Sequence, residues 1–169
     1  IYDAYMGAYN SAPTSIFGGI VATNAEVDAK TAAEMAKIFL EIIIAPSFSQ
    51  EALEILTQKK NIRLLELPSI SERKKNGMDM KKVNGGLLVQ EYDTEVLDVN
   101  NLQFVSEVKP TEEQIKDMIF GMKVVKHLKS NAIVIVKDNT TLGAGPGQVN
   151  RIWATNQAIE HTEGKSVGA

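Results

Sequence analysis

A short apolar run of β-branched residues at positions 42–44 constrains the fold more than any other feature of the sequence. Ile42, Ile43 and Ile44 follow one another directly and lead into Ala45-Pro46. A continuous run of this kind is typical of a strand covered on both faces, as in the parallel sheets of α/β proteins. Segments with helical spacing lie on both sides of it, so we predict a strand between two helices.

The same alternation continues along the chain. The spacing of apolar residues predicts helices over residues 2–9, 28–40, 50–60, 111–130 and 149–160. Apolar runs predict strands over residues 17–22, 42–46, 62–67, 85–90, 103–108 and 132–136. We therefore predict an α/β fold with helices packed on a sheet. A turn at residues 138–140 predicts one antiparallel pair and hence a mixed sheet.

Local signals mark the ends of several elements. Ser47 to Gln50 fits a capping box, and Thr111 with Gln114 fits a second one after Pro110. Residues 69–84 are polar, with Arg73-Lys74-Lys75 and Lys81-Lys82, and predict an exposed connector. Residues 143–148 predict a glycine-rich loop.

Composition excludes several classes of function. The net charge of -3 gives no basic surface for nucleic acid and no polybasic membrane anchor. The chain has no cysteine, and His127 and His161 have no partner at metal-ligand spacing, so we expect no metal site. With no membrane span and no signal peptide visible, we expect a cytoplasmic protein. Because the sequence opens on Ile1 in a helical pattern and closes on a turn, we interpret it as a fragment.

Two segments could carry binding chemistry. Residues 126–131 join a predicted helix to a strand, and the amide of Asn131 there can both donate and accept hydrogen bonds. The alternative is a basic helix end that complements the helix dipole, with Asn131 as the stop. Glycines at alternate positions from Gly143 allow close approach to a ligand, and Arg151 could hold a carbonyl or phosphate. The alternative there is a tight strand-to-helix connection.

Two further positions are candidates. Gly18 lies in a second place where a ligand could approach the backbone, or it is only the entrance to a strand. Glu41 is an acid placed between a predicted helix and the strand at residues 42–46, where the helix dipole disfavours negative charge. It could accept hydrogen bonds from a ribose, or it could face water.

Several stretches in order along the chain resemble one enzyme family. They are residues 15–22 (SIFGGIVA), 41–48 (EIIIAPSF), 51–56 (EALEIL), 59–61 (KKN), 125–132 (VKHLKSNA) and 143–151 (GAGPGQVNR). They resemble the transformylase half of the bifunctional enzymes that combine AICAR transformylase with IMP cyclohydrolase, where AICAR is aminoimidazole carboxamide ribonucleotide.

The resemblance implies a cytidine-deaminase-like fold of three layers, with a mixed sheet, helices on both faces and no zinc. Residues 1–84 would be part of the first of two repeats, and residues 85–169 the end of the first and the beginning of the second, truncated at both ends. It implies formyl transfer from 10-formyltetrahydrofolate to the amine of AICAR, in a homodimer.

The resemblance also implies roles for single residues. Asn131 matches an asparagine beside the amine and carboxamide of the substrate, and Arg151 an arginine at the carboxamide end. Ile152 matches a residue that lines the folate pocket, Gly18 a backbone contact to the nucleotide, and Glu41 an acidic ribose contact.

The sequence also departs from the family pattern. Pro146 and Asn150 replace a commoner alanine and serine in the glycine loop. The family's Lys-His pair for proton handling would lie upstream of Ile1, and Lys126-His127 is not that pair. The isolated chain is therefore expected to be inactive.

Two other functions remain open. A non-catalytic nucleotide-binding or regulatory module could keep the same fold. A dimerisation domain would use Tyr2, Tyr5 and Tyr9 as an exposed aromatic set, although such a set is more often core.

Overall fold

The computed structural model describes residues 1–72, 76–95 and 97–169. Its helices are α1 (Tyr2–Ser11), α2 (Ala29–Met35), α3 (Gln50–Leu56), α4 (Glu112–Val125) and α5 (Arg151–His161), with 3₁₀ turns at Pro68–Ser71 and Val99–Asn101. Its strands are β1 (Gly19–Ala22), β2 (Leu40–Ala45), β3 (Arg63–Glu66), β4 (Met78–Val83), β5 (Gly86–Glu91), β6 (Ile133–Lys137) and β7 (Thr140–Gly145). The predicted basic stretch at Arg73, Lys74 and Lys75 lies outside the described residues. The α/β class is confirmed.

Strands β1, β2 and β3 form a parallel sheet in that order, with β2 in the centre. In the register, Ile43 lies between Val21 and Leu64. Helices α2 and α3 are the two crossover connections. The main hydrophobic core joins one face of this sheet to both helices, through Ile43, Ala45, Ala32, Met35, Ala52 and Leu56.

The opposite face of the parallel sheet is exposed. Ile20, Ile42 and Arg63 share one row of the register, and Ala22, Ile44 and Leu65 share the next row. Ile20 keeps 63% and Leu65 keeps 48% of its surface in solvent. The prediction that residues 42–44 are covered on both faces is wrong for the described residues. Both crossovers turn with the same hand along one strand order, which places both helices on one face.

Strands β6 and β7 form an antiparallel pair, as the turn at residues 138–140 predicts. Helix α5 packs on one face of it, at Gly143 and Gly145. A Cβ atom on either glycine would collide with a main-chain carbonyl oxygen of α5, that of Ala158 for Gly143 and that of Ala154 for Gly145. These glycines therefore lie in a strand that touches a helix backbone directly, and the predicted loop over residues 143–148 is wrong for its first half.

Helix α4 packs on the opposite face of the β6–β7 pair. Val134 pairs with Ala144, the residue between the two glycines, so its side chain points away from α5. A Cβ atom built on Gly121 of α4 would lie 3.2 Å from a methyl group of Val136 and 3.8 Å from one of Val134. This pair of strands thus has a helix on each side.

Strands β4 and β5 form an antiparallel hairpin. Strand β4 lies inside residues 69–84, which were predicted to be a connector, whereas β5 confirms the strand predicted over residues 85–90. One face of it carries Met78, Met80, Leu87 and Val89, all largely exposed. The other face includes an ion pair with 3.7 Å between Lys81 Nζ and Asp79 Oδ2. The alternation of Met and charged residues in β4 has the period of a strand, and the cluster of polar residues concealed it.

Other predicted boundaries need correction. Helix α2 ends at Met35 rather than 40, and α4 ends at Val125 rather than 130. Residues 103–108 form no strand. Ser49, not Ser47, caps α3 through Ala52 N, whereas the Thr111–Gln114 capping box of α4 is confirmed. Parallel and antiparallel pairs occur in separate sheets among the described residues, not in one mixed sheet.

No helix among the residues that the structure describes has the length and apolar character to cross a membrane.

Candidate functional site

The structure brings Gly18 and Glu41 to the same end of the parallel sheet. Gly18 has a φ of +72°, and a Cβ atom there would meet nothing within 4 Å. Its amide nitrogen donates a hydrogen bond to Phe39 O at 2.8 Å, which ties it to the entrance of β2. Gly18 therefore offers a ligand open space beside its Cα, while its N–H is already used.

Glu41 lies inside strand β2, where the register with β1 is irregular. Leu40 pairs with Gly19 and Ile42 pairs with Ile20, so Glu41 is left without a partner on β1. The prediction that Glu41 sits at a helix end before the strand is wrong, because α2 stops at Met35. The side chain of Glu41 is 53% exposed, with 4.0 Å between its Oε2 and Arg63 Nη1.

A pocket of about 350 Å³ opens beside Glu41. It is lined by Phe39, Glu41, Lys60, Asn61, Ile62 and Arg63. Phe39 also contacts Phe17, with 5.6 Å between ring centroids. The pocket combines a carboxylate acceptor, two cationic side chains and an aromatic wall, which are groups that can hold a polar ring compound.

Asn131 and Arg151 lie together at the open end of the β6–β7 pair. Asn131 precedes β6, and its main chain exchanges two hydrogen bonds of 3.1 Å with Gln148, which follows β7. The side-chain Nδ2 of Asn131 also donates to Gln148 O at 3.0 Å. Arg151 begins α5 three residues later and is exposed.

Helix α5 starts with a cap and an apolar surface. Asn150 Oδ1 accepts a hydrogen bond from Ile152 N at 2.8 Å. Asparagine thus serves as an N-cap, like the serine commoner in the family pattern. Val149, Ile152 and Trp153 are each more than half exposed, so an apolar surface adjoins Arg151.

Lys126 has a partner within the protein. Its Nζ lies 3.1 Å from Asp93 Oδ1 and donates to Glu95 O at 2.8 Å. The hydrogen bond from Lys126 to the Asp93 carboxylate is the main reason why the pKa of Asp93 lies below its usual value. Lys126 thus ties the segment after β5 to the end of α4. The interpretation of Asn131 as the helix stop is wrong, since α4 ends six residues earlier.

Sequence reasoning missed two sets of residues near these positions. Arg63 and Lys60 lie beside Glu41 only because β2 and β3 are parallel neighbours. Gln148 lies beside Asn131 through their main-chain hydrogen bonds, and Gln157 is joined to Gln148 by a hydrogen bond between the two side chains. A glutamine directly after a glycine-rich strand was the available signal for the second set. Within the residues that the structure describes, no group of three or more acidic, histidine or cysteine side chains could hold a metal ion.

Comparison with known proteins decides the family. Residues 1–161 match the AICARFT/IMPCHase bienzyme family. The chain belongs to this family. Among its relatives are proteins described as bifunctional purine biosynthesis protein PurH. The chain is 56% identical to that of Ruminiclostridium cellulolyticum and 58% to that of Acetivibrio thermocellus, each over 170 residues, and 57% to that of Thermoanaerobacter sp. over 169 residues.

These AICARFT/IMPCHase relatives are longer than the chain. All of this chain aligns with 33% of each of the three proteins. The chain therefore spans about a third of the length of the curated relatives it matches. Its candidate site has to be assessed as one part of such a longer protein.

Proposed function

We propose that this chain supplies part of the site of an AICAR transformylase. The reaction transfers the formyl group of 10-formyltetrahydrofolate to the amine of AICAR in purine biosynthesis, in a protein that is also an IMP cyclohydrolase. Membership of the AICARFT/IMPCHase family supports this proposal. The observation that carries it is the amide of Asn131, which Gln148 holds at the end of two strands beside Arg151.

The residue types suit this chemistry. The amine of an aromatic ring is a weak nucleophile, so positioning it against the formyl carbon and accepting its proton matter more than a covalent catalyst. Asn131 is the residue for the amine and carboxamide. Arg151, at the start of α5, is a donor for the carboxamide oxygen.

The remaining positions fit the other parts of the two substrates. Glu41 lines the pocket at the parallel sheet, where it would accept hydrogen bonds from ribose hydroxyls, and Gly18 lies at the same end of the sheet and would contact the nucleotide through its main chain. Ile152, 64% exposed next to Val149 and Trp153, would contact the folate. No metal is required by this scheme, and 10-formyltetrahydrofolate is a co-substrate.

We also propose the fold, the repeat organisation and the oligomeric state that the family resemblance implies. The fold would be cytidine-deaminase-like, and α4 and α5 on opposite faces of the β6–β7 pair support a three-layer arrangement. Residues 1–84 would be part of the first of two repeats, and residues 85–169 would be the end of the first repeat and the beginning of the second. The full-length protein would be a cytoplasmic homodimer that binds neither nucleic acid nor membranes.

The test is to place this chain in a full-length relative. In the Acetivibrio thermocellus protein, the matching third would be replaced by this chain, and formyl transfer to AICAR would be measured. We expect the chimera to be active and the chain alone to be inactive, since the chain spans about a third of the length of such a relative. The unmodified relative is the positive control.

A folded chimera that neither binds AICAR nor consumes 10-formyltetrahydrofolate would overturn the proposal. AICAR binding without formyl transfer would instead favour a non-catalytic nucleotide-binding module. The two functions are therefore separated by one binding measurement and one assay of turnover.

A further inference from the structure

Gln148 joins the candidate site to helix α5. Its main chain exchanges two hydrogen bonds with Asn131, and its carbonyl oxygen also accepts the bond from Asn131 Nδ2. The side-chain Nε2 of Gln148 donates to Gln157 Oε1 at 2.8 Å and to Pro146 O at 3.2 Å. One residue therefore holds Asn131 with its main chain and is itself held by α5 through its side chain.

This arrangement fixes the direction of the Asn131 amide. A main-chain carbonyl oxygen can only accept, so the group of Asn131 that faces Gln148 O must be the NH₂ group. The Oδ1 atom then points away from Gln148. It accepts no hydrogen bond within the part of the chain that the structure describes, and Asn131 is only half-buried.

We propose that Gln148 and Gln157 are positioning residues that present Asn131 Oδ1 as a hydrogen-bond acceptor to an N–H donor of the ligand. The ligand group would be a primary amine or the NH₂ of a carboxamide. This inference rests on the proposed function for the identity of the ligand. The geometry of the three side chains stands without it.

Gln157 is the residue at which to test this role. It touches neither Asn131 nor the proposed ligand directly, and it is half-buried between the buried Ala154 and Ala158 positions of α5. Gln157→Leu keeps the size of the side chain but removes the acceptor for Gln148 Nε2. Gln157→Glu keeps an acceptor oxygen at that position.

In the chimera described above, Gln157→Leu is expected to lower kcat by about 2- to 10-fold, because a misdirected Asn131 amide would weaken about one hydrogen bond to the transition state. Gln157→Glu should restore kcat to near that of the unsubstituted chimera, and KM for 10-formyltetrahydrofolate should not change. Asn156→Leu, at the exposed neighbour on the same helix, is the matched control. Equal loss in the Leu and Glu variants, or no loss in either, overturns the proposal.

A measurement on the chain itself separates this inference from the proposed function. The side-chain NH₂ resonances of Asn131 in ¹⁵N-resolved NMR spectra should move toward solvent-exposed values in Gln157→Leu and stay in place in Gln157→Glu. If they do not move in Gln157→Leu, the positioning role is wrong whether or not the chimera is active. If they move while the chimera is inactive, the orientation stands and the proposed function fails.

Discussion

Single residues show most directly how tightly α5 is packed. Gly143 and Gly145 are buried in β7, and no side chain separates them from the α5 main chain.

Tyr5 is a buried polar residue: its ring lies in the core, and its hydroxyl has no hydrogen-bond partner among the described residues. Burial without a partner raises the pKa of this hydroxyl. The aromatic set proposed for dimerisation is thus partly core.

Gly145→Ala should destabilise the chain by about 3 kcal/mol, because overpacking against a main-chain oxygen forces α5 away from β7. Gly86→Ala is the matched control, since a Cβ there meets nothing within 4 Å and its φ is not in the left-handed region. The control should change stability by less than about 1 kcal/mol. Urea unfolding measures both; similar losses would show that β7 and α5 are not in main-chain contact.

Asn131→Ala belongs to the same scale. In the full-length chimera it should lower turnover far more than stability, because the two main-chain bonds to Gln148 remain when the side chain is removed. Formyl-transfer kinetics and thermal melting would be measured on the same preparation. Proportionate losses in the two would mean that Asn131 serves only to close the loop.

At the scale of elements, the side chain that caps a helix can be changed without changing the hydrophobic core. Asp28 caps α2 by accepting a hydrogen bond of 2.7 Å from Thr31 N. Interactions with the side chain of Thr31 first, and with its main-chain N–H second, hold the pKa of Asp28 below its ordinary value of 3.8. A lowered pKa means that the ionised carboxylate stabilises the folded state above the ordinary pKa, and that this stability disappears as the pH falls through the folded-state pKa.

Asp28→Asn keeps a capping oxygen and cannot ionise. The wild-type chain should therefore melt at a higher temperature than Asp28→Asn at neutral pH, and the difference should shrink below about pH 5 as Asp28 is protonated. Melting curves of both proteins across this range test it. A difference that is independent of pH would mean that the charge of Asp28 contributes nothing.

The elements also show what sequence patterns could predict. The Ile42–Ile44 strand and the α4 capping box followed from local patterns, because burial and caps are encoded within a few residues. Strand β4 and the end of β7 did not. Methionines alternate with charge in β4, and the need for glycine in β7 comes from Ala154 and Ala158, which are far along the chain. Glu41 was likewise predicted to lie at a helix end, because the sequence pattern did not show that α2 ends at Met35.

At the scale of the whole molecule, the feature that most affects behaviour in solution is the apolar face of the parallel sheet, which carries Ile20, Ile44 and Leu65. Parallel sheets are nearly always covered on both sides, and exposed apolar patches promote association. The isolated chain should therefore bind the dye ANS and self-associate as its concentration rises. Static light scattering and dye fluorescence measure these properties.

Ile20→Lys with Leu65→Lys should reduce both signals without lowering the melting temperature, since neither side chain belongs to the core cluster. Val105→Lys is the control, because Val105 is 95% exposed outside any strand. Unchanged dye binding in the double variant would show that this face is not the exposed apolar surface in solution.

The contact between α5 and β7 has a mechanical consequence. Two elements separated by side chains can slide as rotamers change, but main-chain atoms in direct contact leave no such freedom. Helix α5 and the β6–β7 pair should then move together as one rigid body. A displacement that a ligand causes near Asn131 would therefore also move the C-terminal end of α5, where the ring of His161 is hydrogen-bonded to Ala144 O.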